Sequence, residues 1–184
     1  MILPIYGFGH PVLKKVSVDI DANYPNIKEL IDNMFATMNS SNGVGLAAPQ
    51  LGLSIRLFII DTTPFKEDDP SLDGFKKVFI NARIIEESGK DWAFNEGCLS
   101  VPSIREDVLR KPNIVISYLD ENFVEHTENF DGIKARVIQH EYDHIEGKLF
   151  VERLSPLKRT LIKGRLNDIS KGRTDVNYKM KFVK

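Results

Sequence analysis

Between residues 26 and 38 the apolar side chains fall at Ile27, Leu30, Ile31, Met34, Phe35 and Met38, in steps of 3, 1, 3, 1 and 3. That spacing puts them on one stripe of an amphipathic helix. The polar run Ser40-Ser41-Asn42-Gly43 ends it. Residues 56–61 (RLFIID) read as a buried strand, and residues 78–80, 84–86, 114–119 and 124–130 as further strands, with Asp120-Glu121-Asn122 as a hairpin turn. Residues 66–74 are acidic, contain Pro70 and Gly74, and read as a solvated loop. A second helix is predicted from Asp131 to about Glu146, where Gly147 supplies a stop. A third starts at Ser155-Pro156, a cap followed by proline at the first helical position, and runs towards Ile169. One helix, several strands and two helices predict an α+β fold: antiparallel or mixed strands around a central helix, with helices near both ends of the chain. The βαβ rhythm of a nucleotide-binding sheet is missing.

The chain has 184 residues, a length that fits one domain spanning 1–184 with a real core. No apolar run approaches the roughly 18 residues of a membrane span. The segment Met1-Ile2-Leu3-Pro4-Ile5-Tyr6 lacks the basic-then-apolar pattern of a secretory signal. A single cysteine, Cys98, rules out an intrachain disulfide and fits a reducing compartment, so a cytoplasmic protein is expected. The net charge of −1 argues against a nucleic-acid-binding role for the molecule as a whole. Its distribution is uneven, however. Residues 156–184 carry nine Lys or Arg and two acids, a net of +7, and the remainder carries −8.

The strongest chemical signal is His140-Glu141-Tyr142-Asp143-His144. Two histidines at i and i+4 share one helix face and can reach one ion, with the glutamate beside them. Ile133, Val137, His140 and His144 lie at steps of 4, 3 and 4, so the histidines continue an apolar stripe and point inward. Unmetallated, such a pair needs hydrogen-bond partners. A catalytic site also commonly takes a third protein ligand and keeps one open position. Downstream, only Glu146 and Glu152 follow closely. Upstream stands Cys98 in Glu96-Gly97-Cys98-Leu99-Ser100. A thiolate with two imidazoles suits Zn(II) or Fe(II). A third segment, Gly43-Val44-Gly45-Leu46-Ala47-Ala48-Pro49-Gln50, is a run of small residues ending in an amide. It can let an extended peptide lie against the backbone, and Gln50 can donate to an oxyanion. A metalloprotease with another third ligand, or a metal-binding protein with a closed coordination shell, remain the alternatives from these residues alone.

GVGLAAPQ, EGCLS and QHEYDH, in that order, resemble the three motifs of the peptide deformylases, and the resemblance spans roughly residues 3–159. The acidic insertion at residues 66–74 and the tail after Lys171 are less typical. The resemblance implies a hydrolase that removes the formyl group from N-formylmethionyl nascent polypeptides and releases formate. The implied metal is Fe(II), replaceable by Zn(II), Ni(II) or Co(II), held by Cys98, His140 and His144. Metal-bound hydroxide then attacks the formyl carbon with Glu141 as general base and acid, and Gln50 and the Leu99 N–H hold the oxyanion. Glu96 is expected to anchor a ligand, paired with Arg110. Val44, Gly45, Phe94, Ile133 and Val137 are expected to line the methionine pocket, with the stem of Arg136 at its rim. Such a substrate emerges at the ribosome, where the basic segment 156–184 can dock on RNA phosphates.

Overall fold

The computed structural model describes residues 1–183. Of the basic residues counted above, Lys184 lies outside the described residues. Nine strands and three α-helices follow one another: β1 (Ile5–Tyr6), α1 (Ile27–Ser40), β2 (Gly45–Ala47), β3 (Leu57–Asp61), β4 (Lys76–Ser88), β5 (Trp92–Cys98), β6 (Val101–Arg110), β7 (Asn113–Leu119), β8 (Glu125–Asp131), α2 (Gly132–Ile145), α3 (Pro156–Ser170) and β9 (Met180–Lys181). Strands β2-β3-β4-β7-β8, in that order, form a wholly antiparallel sheet. Strands β5 and β6 form a separate hairpin, and β1 and β9 pair in parallel. The α+β expectation holds. None of the described helices is long and apolar enough to cross a membrane.

The apolar run in β3 has a direct cause: the sheet is covered on both faces. Leu57 and Ile59 pack with Met34, Met38 and Ile31 of α1. Phe58 and Ile60, on the opposite face, pack with Val137 and Ile138 of α2. Alternate side chains of one strand therefore serve two helices. A third cluster joins β6 to α3 through Val101, Ile104, Val108, Ile162 and Ile169. The helices start and stop where the caps predict. Ser155 accepts from Lys158 N–H at the start of α3, and Asp131 and Glu146 flank α2.

Three expectations need correction. The strands expected at 78–80 and 84–86 are one strand, β4, whose pairing with β7 shifts register between Ile80 and Arg83 and between Ile84 and Glu86. Those irregularities interrupt the alternation that marks a strand. The acidic loop is not wholly solvated, because Leu72 is buried and its carbonyl accepts from the Thr62 hydroxyl at 2.9 Å. The hairpin β5–β6 is missing from the expected strands, since its buried positions mix Val101, Ile104 and Val108 with Glu96 and Arg110.

Phe79 is fully buried, stacks on Phe58 at 4.8 Å and meets Tyr118 at 4.4 Å between ring centroids. Phe79→Ala is expected to lower unfolding free energy by about 3–5 kcal/mol. Urea denaturation measures this, and a loss well below that range means the sheet closes around the gap.

Candidate metal centre

Helix α2 carries His140, Glu141 and His144 out of the apolar face that packs on the sheet. The β5–β6 hairpin brings Cys98 to the same place at the end of β5. One donor atom from each of Cys98, His140 and His144 lies within 4.8 Å of the others. Cys98 Sγ and His144 Nε2 are 3.3 Å apart. His140 donates from Nδ1 to Glu96 Oε2 at 2.9 Å, which leaves Nε2 for the centre. Glu141 Oε2 and His144 Nδ1 are buried without a partner among the described residues. Glu146 and Glu152 are engaged elsewhere. Glu146 pairs with Arg56 at 2.7 Å, and Glu152 accepts from Leu149 N–H at 2.8 Å.

The charge states support the same reading. The Cys98 thiol is pulled down to about 5: burial opposes ionisation, but His144 and then His140 outweigh it. His140 is pushed well above the ordinary imidazole range, since its bonds to Cys98 and Glu96 outweigh burial. A thiolate beside two imidazoles is a donor set that suits a borderline-soft divalent cation. Burial raises Glu141 to about 7, and the nearby histidines only partly offset it.

Behind Cys98, His140 and His144 lies a continuous chain of charged hydrogen bonds. Arg110 grips Glu96 with two N–H groups at 2.7 and 2.9 Å and reaches Asp143 at 2.7 Å. Arg153 closes on the other side of Asp143 at 2.6 Å. Bidentate contacts of this kind combine charge with fixed geometry. The arginines hold Glu96 and Asp143 below the usual carboxylate range even though burial pushes both up. Asp143 was not foreseen, although an acid in the last turn of a helix opposes the dipole and calls for a cationic partner.

The centre opens into a cavity of about 480 Å³. Val44, Gly45, Gln50, Phe94, Glu96, Leu99, Arg136 and Val137 all line it. Gly45 is required by proximity, since a Cβ there would overlap the Glu141 carboxylate. Gln50 accepts from Ala47 N–H at 2.9 Å, which orients its amide, and donates from Nε2 to Ser100 Oγ at 3.1 Å beside Cys98 Sγ. Two expected pocket residues sit differently. Ile133 packs into the sheet-side cluster, because the first turn of α2 lies against the sheet. Arg136 is not at a rim: its guanidinium is buried, donates to Glu96, Val108 O and Trp92 O, and lies 4.6 Å from the Trp92 ring. Phe65, Val176 and Tyr178 also line the cavity, and no pattern in the sequence marks them.

Comparison with known proteins agrees with this geometry. The polypeptide deformylase family model matches residues 2–160. Peptide deformylase from Flavobacterium johnsoniae is 57% identical, with 100% of this chain and 97% of that protein covered. The crystal structure of Arabidopsis thaliana peptide deformylase 1B superposes with a TM-score of 0.83 at 32% identity, covering 92% of this chain and 91% of that one. Class I type b peptide deformylase from Acinetobacter baumannii, bound to Met-Ala-Ser, gives a TM-score of 0.78 at 37% identity, covering 84% of this chain and 99% of that one. With its motifs gathered on one helix and one hairpin, and relatives matching along its whole length, the chain belongs to the polypeptide deformylase family.

Proposed function

We propose that this hydrolase, which removes the formyl group from the amino terminus of polypeptides, does so with Cys98, His140 and His144 as ligands of Fe(II), with Zn(II), Ni(II) or Co(II) able to substitute, and with Glu141 moving the proton. The observation that carries the reading is the convergence of the three donors within 4.8 Å in a cavity also lined by Glu141 and Gln50. A divalent ion held there would polarise a carbonyl and lower the pKa of water towards ~7.

The remaining work falls to side chains and backbone. Glu141, buried and raised to about 7, can take a proton near neutral pH and return it to the leaving amine. Gln50 Nε2, its amide already oriented, and the Leu99 N–H are the oxyanion donors. Strand β2 is an edge of the five-stranded sheet, and Val44 and Gly45 line the cavity. An extended peptide can therefore add to that edge by main-chain hydrogen bonds. Val44, Phe94 and Val137 offer an apolar wall for a methionine side chain. Glu96, held by Arg110, fixes the His140 ring. The whole chain acts as one catalytic domain, and its lone free cysteine suits the cytoplasm.

The basic helix α3 supports a second element of the reading, docking on ribosomal RNA. Arg159, Lys163 and Lys171 are exposed. Leu157 and Leu161 beside them are also exposed, at 70% and 72%. Lys158 and Arg165 instead hold the helix to the β6 region, through Glu106 and the Ser103 carbonyl.

Three outcomes follow from this reading. Cys98→Ala should lose tight metal binding together with activity, whereas Glu141→Gln should keep the metal and lose roughly 10²–10⁴ in kcat. Metal analysis beside formate release separates the two, and parallel loss of metal in Glu141→Gln makes that residue a ligand. Formyl-Met peptides should exceed acetyl-Met peptides in kcat/KM by at least about tenfold, since an acetyl group adds a methyl at a crowded centre. Equal rates point to a general aminoacylase. Reversing the charge of Arg159, Lys163 and Lys171 should weaken ribosome binding and flatten its salt dependence, with kcat/KM on a short formyl-Met peptide unchanged. Ribosome affinity that ignores the reversal removes the docking role.

A further inference from the structure

After α3 the chain turns back across the body. Strand β9 pairs with β1, with Ile5 N–H donating to Lys179 O at 2.8 Å and Gly7 N–H to Lys181 O at 2.9 Å. Lys181 Nζ donates to the Tyr6 hydroxyl at 3.0 Å. Phe182 fits against Gly7, where a Cβ would overlap its ring, and packs on the cluster of Val101, Leu149 and Ile162. Hydrogen bonds and an aromatic plug thus set the register of the tail. Just before this anchor, Val176 and Tyr178 line the same cavity as Gln50, Cys98 and Glu141.

The Tyr178 hydroxyl donates to the backbone carbonyl of Leu99 at 2.8 Å. Leu99 and Ser100 are the two residues of the turn joining β5 to β6, directly after the ligand Cys98. Both turn carbonyls are held from outside the hairpin. Ser100 O accepts from Phe8 N–H at 2.8 Å, and Leu99 O accepts from Tyr178. Phe8 follows β1 and Tyr178 precedes β9, so the paired segments at the two ends of the chain grip the turn together. The Tyr178 ring also packs in the same apolar cluster as the Leu99 side chain.

We propose that Tyr178 is a positioning residue for deformylation: by holding the Leu99 carbonyl it fixes the turn that presents the Leu99 N–H to the substrate, and the tail carrying it forms a wall of the substrate cleft. Its phenol is a constant donor, because burial and the charge of Cys98 push its pKa up to about 12. The purpose of such a clamp is pre-organisation. A donor held before the substrate arrives needs no reorganisation as negative charge develops.

The proposal rests on the Leu99 N–H acting as an oxyanion donor, and the test separates the two. The metal-loaded full-length chain is assayed on formyl-Met-Ala as wild type, Tyr178→Phe and Gln50→Ala. Tyr178→Phe keeps the ring and removes one hydrogen bond, so kcat should fall about three- to tenfold. KM should stay within about twofold, as expected when an interaction that matters in the transition state is loosened. Metal content should equal that of wild type. Gln50→Ala should lose about 10²–10³ in kcat. A fall in kcat for Gln50→Ala with no change in Tyr178→Phe overturns the positioning role and leaves the oxyanion assignment standing. Unchanged kcat in both overturns both. If Tyr178→Phe lowers the melting temperature but not kcat, the tail is a structural staple and the proposal fails. Phe182→Ala loosens the anchor without touching the cleft and should lower kcat in the same direction. If its kcat matches wild type, the tail is not a wall.

Discussion

A carboxylate removed from water must have its charge answered nearby, and the arrangement of this molecule turns on how Glu96 is answered. Two N–H groups of Arg110, one of Arg136 and one of His140 converge on it. Those partners come from different elements: Glu96 from β5, Arg110 from β6, Arg136 and His140 from α2. The hairpin cannot slip along the helix without stranding a buried charge, and leaving one partner uncompensated costs about 3–5 kcal/mol. This is what brings a sulfur on a hairpin to two nitrogens on a helix. Asp143 repeats the device one turn along, tying Arg110 to Arg153. The placing of the three donors is thus enforced by electrostatic neutrality more than by apolar packing, which the cavity on one side leaves incomplete.

The same fact explains which parts of the structure were legible in the sequence. Helices α1, α2 and α3 were visible because their buried faces or caps follow simple rules, as with Met34 and Met38 on one stripe or Ser155-Pro156 at a start. Strand β3 was visible because both its faces are covered by apolar helices. Strands β5 and β6 were invisible because Glu96, Cys98 and Arg110 hold inward positions beside Val101, Ile104 and Val108, so site chemistry interrupts the hydrophobic alternation. Within the site, the candidate donors Cys98, His140 and His144 and the neighbouring Glu141 could be read from helical spacing and from the lone cysteine. The run of small residues ending in an amide pointed to Gln50, and the resemblance to a family supplied Leu99. The burial of Arg136 and the packing of half-buried Ile133 against the sheet-side cluster depend on where α2 begins against the sheet, which residue spacing does not encode. Tyr178 reaches the cavity from a segment far along the chain, and no local pattern connects it to Cys98.

The pairing of β9 with β1 joins positions 175 residues apart through a ladder two residues long. The entropy of closing so large a loop grows only with the logarithm of its length, and the reward is a short ladder, the Phe182 plug and the Tyr178 hydrogen bond. The tail can dock only on a surface that already exists, with β1 seated and the β5–β6 turn formed. On the proposal that Tyr178 positions the Leu99 turn, the metal donors and their charged support sit on the body of the fold, while competence to turn over substrate depends on a separate segment laid across it.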